Sequence, residues 1–180
     1  MNEINFHGLG TFEVVSGSLR ITDPCYSPDT WCATKVKAKN GIWKAMVQTV
    51  RTDMWGTRVA ELIAWHEDNG RIFKIAYDEV SNDIGVDSGQ AGFFDADNYQ
   101  NEDVVEDAMF INPGNITFDE DSRWYSLCCD RTLETKVSAA VIPFGVVSSS
   151  GYGDGGYVLL GEKNKDGEYD LLRLVFIEED

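Results

Sequence analysis

The chain has 180 residues, 43% of them hydrophobic, with 31 acidic against 15 basic side chains and a formal net charge of −16. That is enough apolar material for one compact domain over residues 1–180, and so negative a charge disfavours direct binding to nucleic acid or an anionic membrane. No run of 18 apolar residues occurs, and MNEINFHGLG lacks the basic and apolar segments of a secretion signal, so a soluble, cytoplasmic protein is expected.

In chain order, TFEVV, SGS and LRIT (residues 11–22) read as a β-hairpin rich in β-branched residues. DPCYSPDTW follows, and Pro24 and Pro28 exclude a central strand there. ATKVKAK and IWKAMVQTV flank Asn40-Gly41, a favoured two-residue turn, and predict a second hairpin. In residues 55–80 the positions Val59, Leu62, Ile63 and His66 also fit a helical face, but Asp68-Asn69-Gly70 between two runs of similar length favours strands. DIGVDSG and QAGFFD read as two short strands or one bulged strand. Helices are expected at 102–110 (EDVVEDAMF) and 119–133, the latter with acidic residues in its first turn. KVSAAVIPFGVVSSS, YVLLGEKN and EYDLLRLVFIEE return to strand, the last two joined through Lys165-Asp166-Gly167. The sum is a mainly β, α+β protein: an antiparallel sandwich or open barrel with one or two inserted helices.

The charge is concentrated. From Ile75 to Ser122 there is no Lys or Arg, while thirteen carboxylates fall there, leaving 18 acidic against 15 basic residues elsewhere. Such a window attracts basic proteins or divalent cations over a Debye length of roughly 8 Å. A calcium loop is a poor reading of it. Asp95, Asp97 and Glu106 fall on positions 1, 3 and 12 of an EF-hand, but Tyr99 and Gln100 replace the fifth ligand and the turn glycine.

Other chemistries find little support. Cys25 and Cys32 are too far apart for a zinc pair, and Cys128-Cys129 are vicinal, so reduced thiols are expected. With only His7 and His66 present, no local Cys-His signature exists, and no G-x-S-x-G elbow occurs. SSSGYGDGGY (148–157) lacks the Lys-Ser/Thr end of a phosphate-binding loop and reads as a glycine-rich turn. No cofactor motif emerges; a metal is left open. Asp23, Asp87, Asp95 and Asp154, on turns, form a candidate ligand or metal site if the fold brings them together, as in a hydrolase or a protein sequestering a signalling nucleotide. Most of the five tryptophans are assigned to the core. Tyr99, Tyr125, Tyr152 and Tyr157 are candidates for an interface.

The segments DPCY (23–26), WGTRVAELIAWH (55–66), GVDSGQAGFFD (85–95) and SGYGDGGY (150–157), in this order, resemble a widespread family of uncharacterised proteins found largely in bacteriophages and mobile elements. The resemblance covers most of the chain. Some members of that group act on Cas9 as anti-CRISPR proteins, so it implies a counter-defence context and supplies no catalytic residues. Cas9-type effectors hold nucleic acid in positively charged channels, which a row of carboxylates can occupy as a DNA mimic. The leading expectation is therefore a non-enzymatic acidic inhibitor of a basic nucleic-acid-binding complex such as guide-loaded Cas9. Asp95, Asp97, Tyr99, Glu102, Asp103, Glu106 and Asp107 are its candidate contact residues.

Overall fold

The computed structural model describes residues 3–70 and 77–178. Its strands are β1 (Ile4–Val14), β2 (Ser18–Thr22), β3 (Thr34–Lys37), β4 (Gly41–Thr52), β5 (Gly56–His66), β6 (Asp78–Val86), β7 (Gln90–Asp95), β8 (Ala139–Ile142), β9 (Gly145–Ser149), β10 (Gly155–Lys163) and β11 (Tyr169–Val175), with one α-helix, α1 (Arg123–Leu133). They build two open sheets whose named strands pair antiparallel, in the orders β1-β4-β5-β11-β10-β6 and β3-β2-β7-β9-β8. This is the sandwich alternative of the expected mainly β fold. Among the described residues no helix is long and apolar enough to cross a membrane.

Alternation along the strands makes the sandwich. Trp43, Ala45 and Val47 of β4 and Leu62 and Ala64 of β5 point inward from the first sheet, and Leu19, Ile21, Phe93 and Val146 meet them from the second. On β1 a bulge at Gly8–Gly10 shifts the parity, so that His7 before it, Leu9 within it and Phe12 and Val14 after it share the inner face. The second sheet is also covered on its outer side. There Phe94, Val147 and Ile142 pack beneath Tyr99, Val105, Phe110, Trp124 and Leu127, giving a second apolar cluster.

Several local expectations change. Neither predicted N-terminal hairpin forms: β1 pairs with β4 and β2 with β3 and β7, so both connections cross between sheets. The first crossing is fixed by Asp95, whose Oδ1 accepts the N–H groups of Val15 and Ser16 at 2.9 and 2.8 Å. At the second, Asn40 Oδ1 accepts Gly17 N–H at 2.7 Å, and the Asn40 carbonyl lies 2.9 Å from His66 Nε2. Gly41 adopts φ +123°, with space so tight that a Cβ would lie 2.6 Å from the same nitrogen. Asn-Gly turn chemistry is real there, but the tertiary partners set the direction of the exit.

Residues 102–110 are not a helix. Two 3-10 turns, Glu102–Val104 and Asp107–Met109, replace it, because Val105 and Phe110 must both reach the sheet below. The second helix begins at Arg123 rather than 119. DIGVDSG and QAGFFD enter different sheets, in β6 and β7. Strand β5 forms as expected; its predicted return run RIFKIAY lies outside the described residues except for Tyr77. The closing β10–β11 hairpin is as expected. Trp43 and Trp124 are core, whereas Trp31 and Trp55 are exposed.

Candidate functional site

One end of the sandwich gathers loops from both sheets: 23–33, 52–56, 87–89 and 150–154. Loop ends of antiparallel sandwiches are where such folds carry binding residues, since the sheets hold the loops in place without constraining their sequence.

Asp23 is the strut of this end. Fully buried, it accepts four hydrogen bonds, from Cys25 N–H (2.8 Å) and the Ser88 hydroxyl (2.6 Å) on Oδ1, and from Asp87 N–H (2.8 Å) and Ser88 N–H (2.7 Å) on Oδ2. It thereby ties the proline-containing loop to the GVDSG turn. From the outer layer the Tyr99 hydroxyl donates to the Tyr26 carbonyl at 2.6 Å, and Gln100 Nε2 donates to the carbonyls of Pro24 and Tyr26. At the far side of the loop the Cys32 carbonyl accepts Gly85 N–H at 3.0 Å. A Cβ on Gly85 would stand 2.5 Å from Cys32 Sγ, so the loop closes on the edge of β6 only over a glycine.

The loop and the strand ends enclose a groove of about 390 Å³ lined by Tyr26, Trp31, Cys32, Asp83, Asp87 and Asp154 together with the backbone near Gly85 and Gly155. The three aspartates are exposed, Trp31 is 82% exposed, and among the described residues none that lines the groove is basic. Burial, followed by hydrogen bonding to Asp87 and Cys32, pushes the Tyr26 phenol well above its usual range, so it serves as a donor. Next to the groove the Tyr157 hydroxyl donates to the Gly153 carbonyl at 2.6 Å and pins the 150–154 turn. That turn displays Tyr152, whose ring packs edge-on at 6.4 Å against exposed Trp55.

The predicted ligand quartet is thus brought together only in part. Asp87 and Asp154 face one groove, Asp23 lies beneath them with both oxygens engaged, and Asp95 closes the other end of β7, about 17 Å away at 3.3 Å per residue. Asp95 is fully buried. Burial opposes its charge, but the bonds from Ser16, Asn98 and Val15 prevail and hold the carboxyl below the ordinary aspartate range. Among the described residues no group of three His, Cys, Asp or Glu side chains is placed to hold a metal ion.

The predicted contact run 95–107 is likewise divided. Asp95 and Tyr99 are buried; Glu102 Oε2 accepts Trp124 N–H at 2.8 Å at the start of α1; Asp107 pairs with Arg123. Burial raises the Glu102 carboxyl above its usual range despite that bond. Asp97, Asp103 and Glu106 are exposed on the outer layer, as are Asp119, Glu120 and Asp121.

Two of the thiols are held in the protonated form. Burial, with Asp23 nearby, pushes the Cys25 thiol up to about 12, and burial raises that of Cys128 as well. All four cysteines are free.

Sequence reasoning did not single out Asp83 or Trp31 for this groove. Trp31 carried a usable signal, since a tryptophan two residues after Pro28-Asp29 in a loop has no strand to place it in the core. Asp83 carried none, because only the pairing of β6 with β10 sets it over Gly156.

Fold and site together describe a two-sheet sandwich with an acidic, aromatic-rimmed loop end. Searches against protein-family models, curated proteins and solved structures find no match to this chain.

Proposed function

We propose that this protein is a non-enzymatic acidic binding protein that docks, through its loop end, on a positively charged surface of another protein. The observation that carries the reading is the convergence of Asp83, Asp87 and Asp154 beside exposed Trp31 in a groove lined, among the described residues, by no basic side chain. Carboxylates steer and select a cationic partner, while an exposed tryptophan and the Trp55–Tyr152 pair supply the large rigid contacts that dominate interface energetics. A nucleic-acid-binding effector of the Cas9 type offers such a basic surface.

A second reading is supported by the exposure of Asp97, Asp103 and Glu106 on the outer layer, where they suit phosphate mimicry. Two charge-reversal sets separate the readings: Asp83→Lys, Asp87→Lys and Asp154→Lys at the loop end, and Asp97→Lys, Asp103→Lys and Glu106→Lys on the outer layer. Affinity for guide-loaded Cas9, and competition with target DNA, are measured at low and high salt. The loop-end reading expects the first set to abolish a salt-sensitive complex and the second to leave it within a few-fold. The opposite pattern moves the interface to the outer layer. Indifference to both sets refutes charge-directed docking.

A further inference from the structure

A second cavity, of about 440 Å³, opens between the two sheets where β1, β4 and β5 face the segment before β8 and the end of β9. Its place in the fold is that of the core, yet most of the residues lining it are polar, Val59 and Val137 being the apolar ones. By the alternation of the strands, Asn5, His7 and Thr49 occupy the inward face that Leu9, Val47 and Val59 continue as core. From the second sheet Ser149, at the end of β9, lines the cavity; its neighbour Ser148, outside the lining, is fully buried with a hydroxyl that has no hydrogen-bond partner. The opposite wall is the 136–138 segment, held to β9 by Ser149 N–H donating to the Ser138 carbonyl at 2.8 Å. Local departures from the buried-apolar rule are expected where a fold serves a ligand.

The charge is equally out of keeping with the rest of the molecule. In a chain with twice as many acids as bases, the ionisable residues lining this cavity are His7, Arg58 and Lys136, all basic. Arg58 and Lys136 take part in no ion pair among the described residues, and Arg58 Nε is enclosed without a hydrogen-bond partner. His7 Nε2 lies 3.0 Å from Thr49 Oγ1, which orients the ring. Beside the lining, Glu3 Oε1 accepts a 3.4 Å bond from Asn5 Nδ2. A volume of this size accommodates a small ligand.

The geometry points to a binding site for a small oxyanion, the phosphate or carboxylate group of a small molecule, held between His7 and Lys136 and hydrogen-bonded by the Thr49 and Ser138 side chains. It lies apart from the acidic groove and stands whether or not the docking reading does.

The test is a titration of inorganic phosphate into the isotope-labelled full chain at constant ionic strength, followed by amide NMR. Saturable shifts confined to Asn5, His7, Thr49, Ser138 and Ser149 are expected. Lys136→Glu, on an exposed side chain, should weaken binding at least tenfold, and His7→Gln several-fold. Acetate competing at the same resonances assigns the site to oxyanions generally, and acetate without effect assigns it to phosphate. Shifts that do not saturate, that spread over the surface lysines, or that survive Lys136→Glu unchanged would identify an adventitious ion only and overturn the site.

Discussion

Asp23 is the residue through which the loop end is most directly tested. Replacing it with Asn keeps the shape but turns one acceptor into a donor, against two hydrogen bonds accepted on each oxygen. Both Oδ2 donors are backbone N–H groups of Asp87 and Ser88, fixed by the turn and unable to rotate towards solvent. An unsatisfied buried donor costs about 1–3 kcal/mol. Taking the lower half of that range for two groups that are only partly buried, Asp23→Asn should lose about 2–4 kcal/mol, or a Tm fall of about 5–15 °C for a domain of this size. Ser88→Ala, which removes one hydroxyl donor and leaves the three N–H groups bonded, should cost about 1 kcal/mol. Urea unfolding with the slope checked for constancy gives both values. A loss below about 0.5 kcal/mol for Asp23→Asn would refute the strut argument and return Asp23 to the list of free ligand carboxylates.

Acid should reveal Asp95 in the same way. Its folded pKa is lowered, so its contribution is present above the unfolded value of about 3.9 and is lost as pH falls through the folded value. Asp95→Asn should thus be less stable at pH 7, with the gap to the parent chain closing below about pH 4 in thermal unfolding; a gap independent of pH would contradict the assignment. Gly92→Ala would place a Cβ 2.3 Å from the Val146 carbonyl oxygen and 2.5 Å from the Phe94 ring, and overpacking against backbone should cost about 3 kcal/mol or more, read as a Tm fall or loss of soluble protein. Arg173 donates twice to Glu61 through its Nη2 at 2.7 and 2.5 Å and once through Nε at 2.8 Å. Arg173→Ala should cost about 1–3 kcal/mol, and a double change of both residues to Met should recover part of it in a double-mutant cycle.

The sequence by itself determined the strand-rich character. β-Branched and aromatic residues are frequent in β4 and β5, Lys165-Asp166-Gly167 closes the last hairpin, and Pro24 and Pro28 forbid a strand where the loop runs. It also determined the acidic window and the presence of aspartates on the turns that end strands. Those are local properties, set by periodicity, turn chemistry and composition.

Which strands pair was decided only by the tertiary structure, since a tight turn does not fix the sheet that the chain enters after it. Asn40-Gly41 leads from β3 in one sheet to β4 in the other because Gly17 and His66 hold it there. The same holds for the carboxylates: Asp23, Asp95 and Asp130 look in sequence like their exposed neighbours. Folding surrounds each with N–H donors, Asp130 accepting those of Ile111 and Asn112, and makes them supports for loops. Asp83, Asp87 and Asp154 are left at the surface around one groove by the antiparallel pairing of β6 with β10 and by the turns at its end. An aspartate's role depends on the donors within about 3 Å of it, and those come from distant parts of the chain.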